Sequence, residues 1–190
     1  TITRSDLTAG VHPISVTFPA GSGFSGSQSQ IVTATVQRAS TGITVTSLPN
    51  PTSALSTVFF TATVTSTTGI PSGFVTFTIG SAVFTATLDG EGIATMQQPS
   101  LVAGAHAVTA TFAGNGNYAE SQVRGLDQVV TCADVYTVDK TADAGVGSLR
   151  QAITDVCTGG EITFAPTLTA TGAVTILLTS DQLTITKDVT

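Results

Sequence analysis

His12 and His106 are the side chains best suited to acid–base or metal chemistry in this 190-residue chain, and neither has the company such chemistry needs. Each closes a Leu-x-Ala-Gly-x-His segment, Leu7–His12 and Leu101–His106, with no serine, cysteine or paired carboxylate at a supporting spacing. A structural hydrogen bond at the head of a strand is the expected role of both. Asp89 and Glu91 share the loop Asp89-Gly90-Glu91-Gly92. A calcium ion takes about six to eight oxygen ligands, which two carboxylates do not supply, so a plain hairpin tip is expected there. Asp139 and Asp143 precede a short helical segment, where they serve as caps or solvated charges in preference to calcium ligands. Arg150, inside that segment, faces solvent or pairs with Asp155 or Asp143, and no second basic residue supports an active site. Cys132 and Cys157 are the only cysteines and form no CxxC, so a metal cluster lacks ligands and one Cys132–Cys157 disulfide is the simplest account. Disulfides persist in oxidising compartments, which points outside the cytoplasm. No catalytic residue, metal site or cofactor is expected.

The frame that positions these residues is a duplication. SLVAGAHAVTATFAGNGNYAES, Ser100–Ser121, aligns without a gap on DLTAGVHPISVTFPAGSGFSGS, Asp6–Ser27, 94 positions earlier. Leu7 meets Leu101, His12 meets His106, Phe18 meets Phe112 and Phe24 meets Tyr118. That spacing exceeds the ~20–50 residues of solenoid repeats and suits tandem sandwich domains. The earlier copy holds only the rear half of a unit, so three regions are expected: a half unit over 1–38, a complete unit over 39–131, and a different segment over 132–190.

Composition agrees with strands. Threonine makes up about a fifth of the chain, valine, isoleucine and phenylalanine are common, and lysine and glutamate are scarce. With 41% hydrophobic residues and a mean hydropathy of +0.37 the chain can bury a core. With 9% charged residues and a net charge of −6 it has no basic face, so nucleic-acid binding is not expected. No apolar run is long enough for a membrane helix, and no basic-then-apolar leader stands at Thr1; no membrane insertion and a mature or trimmed secreted or cell-surface chain are the expectations.

Period-two alternation predicts strands over Val11–Phe18 and Gln30–Gln37 in the half unit. In the complete unit it predicts strands at Ile43–Leu48, Thr57–Thr65, Phe74–Ile79, Ala82–Leu88, Ile93–Gln97, Ala105–Phe112 and Gln122–Thr131. Val58, Phe60, Ala62 and Val64 fall on the inward face of their strand, and Val75, Phe77 and Ile79 on the inward face of theirs. Phe59 and Phe74 take the outward parity, which marks either a sticky sheet face or a misassigned face. Seven strands with turns every ~8–12 residues imply an immunoglobulin-like sandwich.

The stretch TVTSLPNPTSALSTVFFTATVTSTTGIPSGFVTFTIG, followed by L-x-A-G-x-H and N-x-N-Y, resembles the bacterial Ig-like repeats of large secreted surface proteins. The resemblance covers Ser40–Thr131, with Thr1–Gln37 as a half repeat, and implies a spacer or adhesive module.

After Cys132 the pattern changes. Val135–Val138 reads as a strand, and Leu149, Ala152, Ile153 and Val156 form a helical stripe that Gly159-Gly160 ends. Ser148 and Gln151 form a capping box, hydroxyl to backbone and amide back to the cap. Glu161–Phe164, Val174–Leu178 and Leu183–Ile185 read as short strands. TVDKTADAGVGSLRQAITDV, G-x-x-I-T-F and L-T-I-T-K together resemble the opening of secreted right-handed parallel β-helix proteins, in which such a segment caps the first coil. The fold class expected is therefore all-β: an Ig-like β-sandwich, preceded by part of a second, joined to the capped start of a parallel β-helix.

Functionally this reads as an extracellular structural or adhesive module without enzymatic activity. Left alone, the N-terminal hairpin exposes Ile14, Val16, Phe18, Ile31 and Val36, and the last strand leaves Leu183 and Ile185 on an open coil. Two unfinished ends imply head-to-tail association with copies of the chain or with neighbouring domains, a strand-complemented filament. The competing account is a segment of a longer chain, the spacer or accessory region of a secreted polysaccharide-active or glycan-binding β-helix protein. A cell-surface glycan is the second class of partner, although the chain has no Trp and only Tyr118 and Tyr136.

Overall fold

A computed structural model describes residues 2–99, 101–170 and 172–190; Thr1 of the half unit, Ser100 at the head of the repeated stretch and Thr171 lie outside the described residues. The half unit is a broken hairpin of β1 (Gly10–Ile14), β2 (Thr17–Phe18), β3 (Ser27–Gln28) and β4 (Val32–Val36), with β1 antiparallel to β4 and β2 to β3. The strand expected over Val11–Phe18 is thus interrupted at Ser15-Val16, and the one over Gln30–Gln37 is shorter. The cause lies in one residue. In the complete unit the equivalent ladder crosses this point with a register shift between Val108 and Thr109, opposite Gly125 at φ +106°. Ile31 occupies the matching place in the half unit, and a β-branched residue does not adopt that conformation. There the ladder breaks instead, and the Ser29 hydroxyl takes the Val16 N–H at 2.9 Å.

The complete unit contains β5 (Thr41–Leu48), β6 (Thr52–Ser53), β7 (Thr57–Ser66), β8 (Phe74–Ile79), β9 (Ala82–Thr87), β10 (Ile93–Pro99), β11 (Gly104–Phe112) and β12 (Ser121–Thr131). One sheet has the order β10-β7-β5 and the other β6-β12-β11-β8-β9. All seven expected strands are present. Val58, Phe60 and Ala62 from one sheet meet Val75, Phe77, Ala110 and Phe112 from the other, each of them at 0% exposure. Removing a Val or Phe side chain from water is worth roughly 1.5–3 kcal/mol, so this seam carries most of the unit's stability.

The Asp89–Gly92 loop differs from expectation, because β9 pairs with β8 in one sheet whereas β10 pairs with β7 in the other. Locally it is tight, with Asp89 N–H bonded to Ile93 O at 2.9 Å, yet the chain crosses between sheets rather than forming a hairpin. Short β6 has no counterpart among the expected strands; it joins the end of β12 in parallel, Val130 beside Thr52. Asn50 holds that corner with both ends of its amide, Nδ2 donating to Asp127 O and Oδ1 accepting from Val129 N–H.

Beyond Cys132 lie β13 (Ala133–Val138), α1 (Leu149–Asp155), β14 (Val156–Phe164) and α2 (Pro166–Thr169). β13 and β14 run parallel, Val135 beside Glu161 and Val138 beside Phe164, over a small core of Tyr136, Val138, Ala152 and Val156. Ser148 caps α1 through its hydroxyl as expected, accepting from Gln151 N–H at 3.2 Å. The reciprocal half of the capping box is absent: Ser148 N–H bonds Gly145 O, and the Gln151 amide goes forward to Asp155. Gly159-Gly160 lie inside β14, since the helix already ends at Asp155, where buried Val156 enters the ladder beside Ala133.

Neither Val174–Leu178 nor Leu183–Ile185 forms a strand. Side-chain ties to α1 and its approach hold that segment, and only the last residues rejoin a ladder. Gly160 bridges Val189 in parallel, with Gly159 N–H to Asp188 O and Ile162 N–H to Thr190 O both at 2.8 Å. The fold is all-β with half its residues in strands; a β-helix is not shown.

Candidate functional site

The two histidines occupy the same bond in both copies. His12 Nε2 donates to Thr8 O at 2.7 Å and His106 Nε2 to Val102 O at 2.8 Å, so each ring closes its own turn four residues back. Both rings are half-buried, and among the described residues neither reaches a nucleophile or carboxylate through a hydrogen bond.

Cys132 and Cys157 are joined, with Cα atoms 5.0 Å apart. The bond ties the end of β12 to the start of β14 across 25 positions of sequence. Asp89 Oδ1 accepts from Glu91 and Ile93 N–H, both at 2.9 Å, and these bonds, that to Ile93 foremost, hold its carboxyl below the usual carboxylate range. Its carboxylate serves its own loop. Among the described residues no group of three or more His, Cys, Asp or Glu converges as a metal site would require.

Among the described residues Asp143 is the most heavily bonded carboxylate. Its Oδ1 accepts from Arg150 Nη2 at 2.7 Å, while Oδ2 accepts from the Ser180 hydroxyl at 2.7 Å, Ser180 N–H at 2.8 Å and Thr179 N–H at 3.0 Å. The Ser180 hydroxyl first, then Arg150, keep this carboxyl far below the ordinary range. Arg150 thus chooses Asp143 over Asp155, and its guanidinium also donates to Gln182 O at 3.2 Å. Lys187 Nζ donates to Thr154 O at 2.9 Å and to Val156 O. Together they clasp residues 179–187 onto α1. The sequence points to Asp143 and Arg150 but not to this duty, since Ser180 lies 37 positions away and carries no local signal. Asp139 packs over Gly147, where an added Cβ would stand 1.9 Å from its Oδ1, and the helix cap is left to Ser148.

The apolar residues assigned to self-association are spread over both ends of the chain. Ile14, Val16, Phe18, Ile31 and Ile185 are 49–67% exposed, whereas Val36 and Leu183 are half-buried. Phe59 and Phe74 are exposed while their strand neighbours are buried, so the outward parity holds and these two rings stand on the outer surface. Leu48, opposite Phe59 in the ladder, is exposed beside it. Tyr136 is fully buried, and burial raises its phenol pKa; its hydroxyl accepts from Gly147 N–H at 3.1 Å. Tyr118 is half-buried against the sandwich core. The exposed aromatic surface is therefore phenylalanine.

The geometry defines a β-sandwich module followed by a disulfide-tied segment with its own small core. Residues 45–131 match the family described as bacterial Ig-like domain (group 3). No curated protein matches the chain.

Proposed function

We propose that this chain is an extracellular structural or adhesive segment whose N-terminal hairpin is completed by strands from another copy of the chain. One observation carries the reading. Gly10 faces Val36 and Ile14 faces Val32 in the same register that pairs Gly104 with Val130 and Val108 with Leu126, yet Ile14 and Phe18 are exposed where Val108 and Phe112 are buried. Among the described residues no sheet covers this hairpin as β7 and β5 cover its counterpart. A two-stranded hairpin is marginal in water, and covering its apolar side chains is worth roughly 1.5–3 kcal/mol each. The Ig-like domains of this family are commonly extracellular and adhesion-related, and the disulfide fits an oxidising compartment.

Light scattering of the purified chain with and without residues 1–38 tests this. Polymers that disappear on deletion support the reading, and a monomer in both cases ends it.

A second reading has its own support. Parallel ladders place Val135 beside Glu161 and Gly160 beside Val189, so rungs recur at 26 and 29 positions as they would in a parallel coil. This favours a role for residues 132–190 as the capped start of a β-helix, with the Ig-like units as spacers for a secreted polysaccharide-active or glycan-binding protein. Binding to immobilised glycans by the monomeric chain would favour it over polymerisation.

A further inference from the structure

The two copies of the duplicated unit contact their downstream modules in the same way. In the first unit the Ala9 N–H donates to Asn117 Oδ1 at 2.9 Å, and Ala39 forms a parallel bridge to Tyr118. In the second, 94 positions later, the Ala103 N–H donates to Asp155 Oδ1 at 3.0 Å, and Ala133 pairs in parallel with Val156. Ala9 corresponds to Ala103 and Ala39 to Ala133 in the same gap-free alignment. The receiving modules are unrelated, a sandwich loop in one case and a helix end in the other. Both nevertheless present a side-chain oxygen one residue before the bridged residue, Asn117-Tyr118 and Asp155-Val156.

The histidines belong to this arrangement. The peptide group joining Thr8 to Ala9 gives its oxygen to His12 and its N–H to Asn117; the one joining Val102 to Ala103 gives its oxygen to His106 and its N–H to Asp155. Each ring therefore orients, from within its own unit, the peptide whose N–H reaches the next module. The receiving side is also braced, as Asn115 Oδ1 accepts from Asn117 N–H at 2.8 Å and Gln151 Nε2 donates to Asp155 Oδ2 at 2.7 Å.

We propose that the Leu-x-Ala-Gly-x-His turn is a coupling socket, in which the histidine is the positioning residue and the partner is any downstream module that offers a carboxamide or carboxylate oxygen immediately before an extended residue. Two attachments, a peptide N–H and a parallel bridge about thirty positions downstream, fix the orientation of consecutive modules where a single linker would leave them free to swivel. The partner chemistry is an acceptor oxygen, neutral or charged, because both kinds occur. This is independent of what completes the N-terminal hairpin.

Amide hydrogen exchange by NMR, with small-angle scattering on the same samples of the full chain, tests the socket. Ala9 and Ala103 amides are expected to be protected in the native chain. Asn117→Ala should speed exchange at Ala9, and Asp155→Ala at Ala103, by about tenfold or more, with a broadened scattering-derived size distribution and unchanged protection at Phe77 and Ala110 in the sandwich core. Asn117→Asp and Asp155→Asn keep an acceptor and should restore protection. His106→Ala should loosen Ala103 even with Asp155 intact. Unprotected Ala9 and Ala103 amides in the native chain overturn the proposal, as does a response at one junction alone, or removal of both acceptors without change in exchange or scattering.

Discussion

Val108 and Phe112 are 1% and 0% exposed, while their counterparts Ile14 and Phe18, 94 positions earlier and paired in the same register, are 49% and 53% exposed. The two hairpins share the Leu-x-Ala-Gly-x-His turn, its histidine bond and the register of their paired strands, and differ in how the ladder crosses Ser15 and Thr109 and in what lies over them. For the second, β8 extends the sheet and β7 and β5 cover its inner face; the first has no such strands among the described residues. Hairpin geometry is thus set locally by turn and alternation, whereas burial, and with it most of the free energy, depends on the strands between Thr41 and Pro99. The region after Cys132 is a third case. Its core is small, and it is held by one disulfide and a cluster of charged and polar ties.

The sharpest way to break this comparison is to truncate the same ring in both copies. Phe112→Ala should cost about 3–5 kcal/mol in chemical denaturation, and Phe18→Ala less than about 0.5 kcal/mol, in the isolated monomer. Equal losses would mean that the first hairpin is covered in solution after all.

The next largest effect concerns the C-terminal region. Removing the disulfide by Cys132→Ser with Cys157→Ser should cost roughly 3 kcal/mol through the freed loop, seen as early unfolding of residues 133–190 while the sandwich transition stays in place. Two alkylatable thiols in the unreduced native protein would refute the bond itself.

A smaller effect separates the two histidines. His106→Ala should lower the stability of the sandwich by about 1 kcal/mol, since it leaves Val102 O without its ring donor, whereas His12→Ala should leave the main melting transition unmoved. A binding activity lost without any fall in stability would give His106 a different role.

The most local effect is on pH. The Asp143 carboxyl is held below its unfolded value, so its contribution is present above that value, about 3.9, and is lost as pH falls further through the native one. Acidification from about pH 4 downward should therefore progressively loosen residues 179–187 from α1 before the sandwich unfolds, and Asp143→Asn should loosen them at neutral pH. Amide exchange at Thr179 and Ser180 reads both. Protection there that is unaffected by the substitution would show that Lys187 and the Val189 bridge suffice.

Much of the architecture was legible because it rests on patterns that repeat over short distances. Alternation in Thr57–Ser66 and Phe74–Ile79 placed Val58, Phe60, Val75 and Phe77 on the buried face, since a strand's side chains alternate whatever it packs against. The duplication announced two hairpins of one register, and two lone cysteines had only each other. The serine hydroxyl at the head of α1 was equally readable, because a cap reaches only three residues.

What the tertiary structure alone decided were the long-range choices. The loop Asp89–Gly92 has hairpin chemistry, yet the inward residues of β10 are needed beside β7, and the chain crosses to the other sheet. Leu183–Ile185 has the composition of a strand, but Arg150, Asp143 and Lys187 hold that stretch against α1 by side-chain bonds that no local pattern encodes. Asn117 and Asp155 reach amides 108 and 52 positions away. A residue's own neighbours dictate its backbone and its parity; its partner across the molecule is dictated by whichever surface the finished sheets bring within about 3 Å of it.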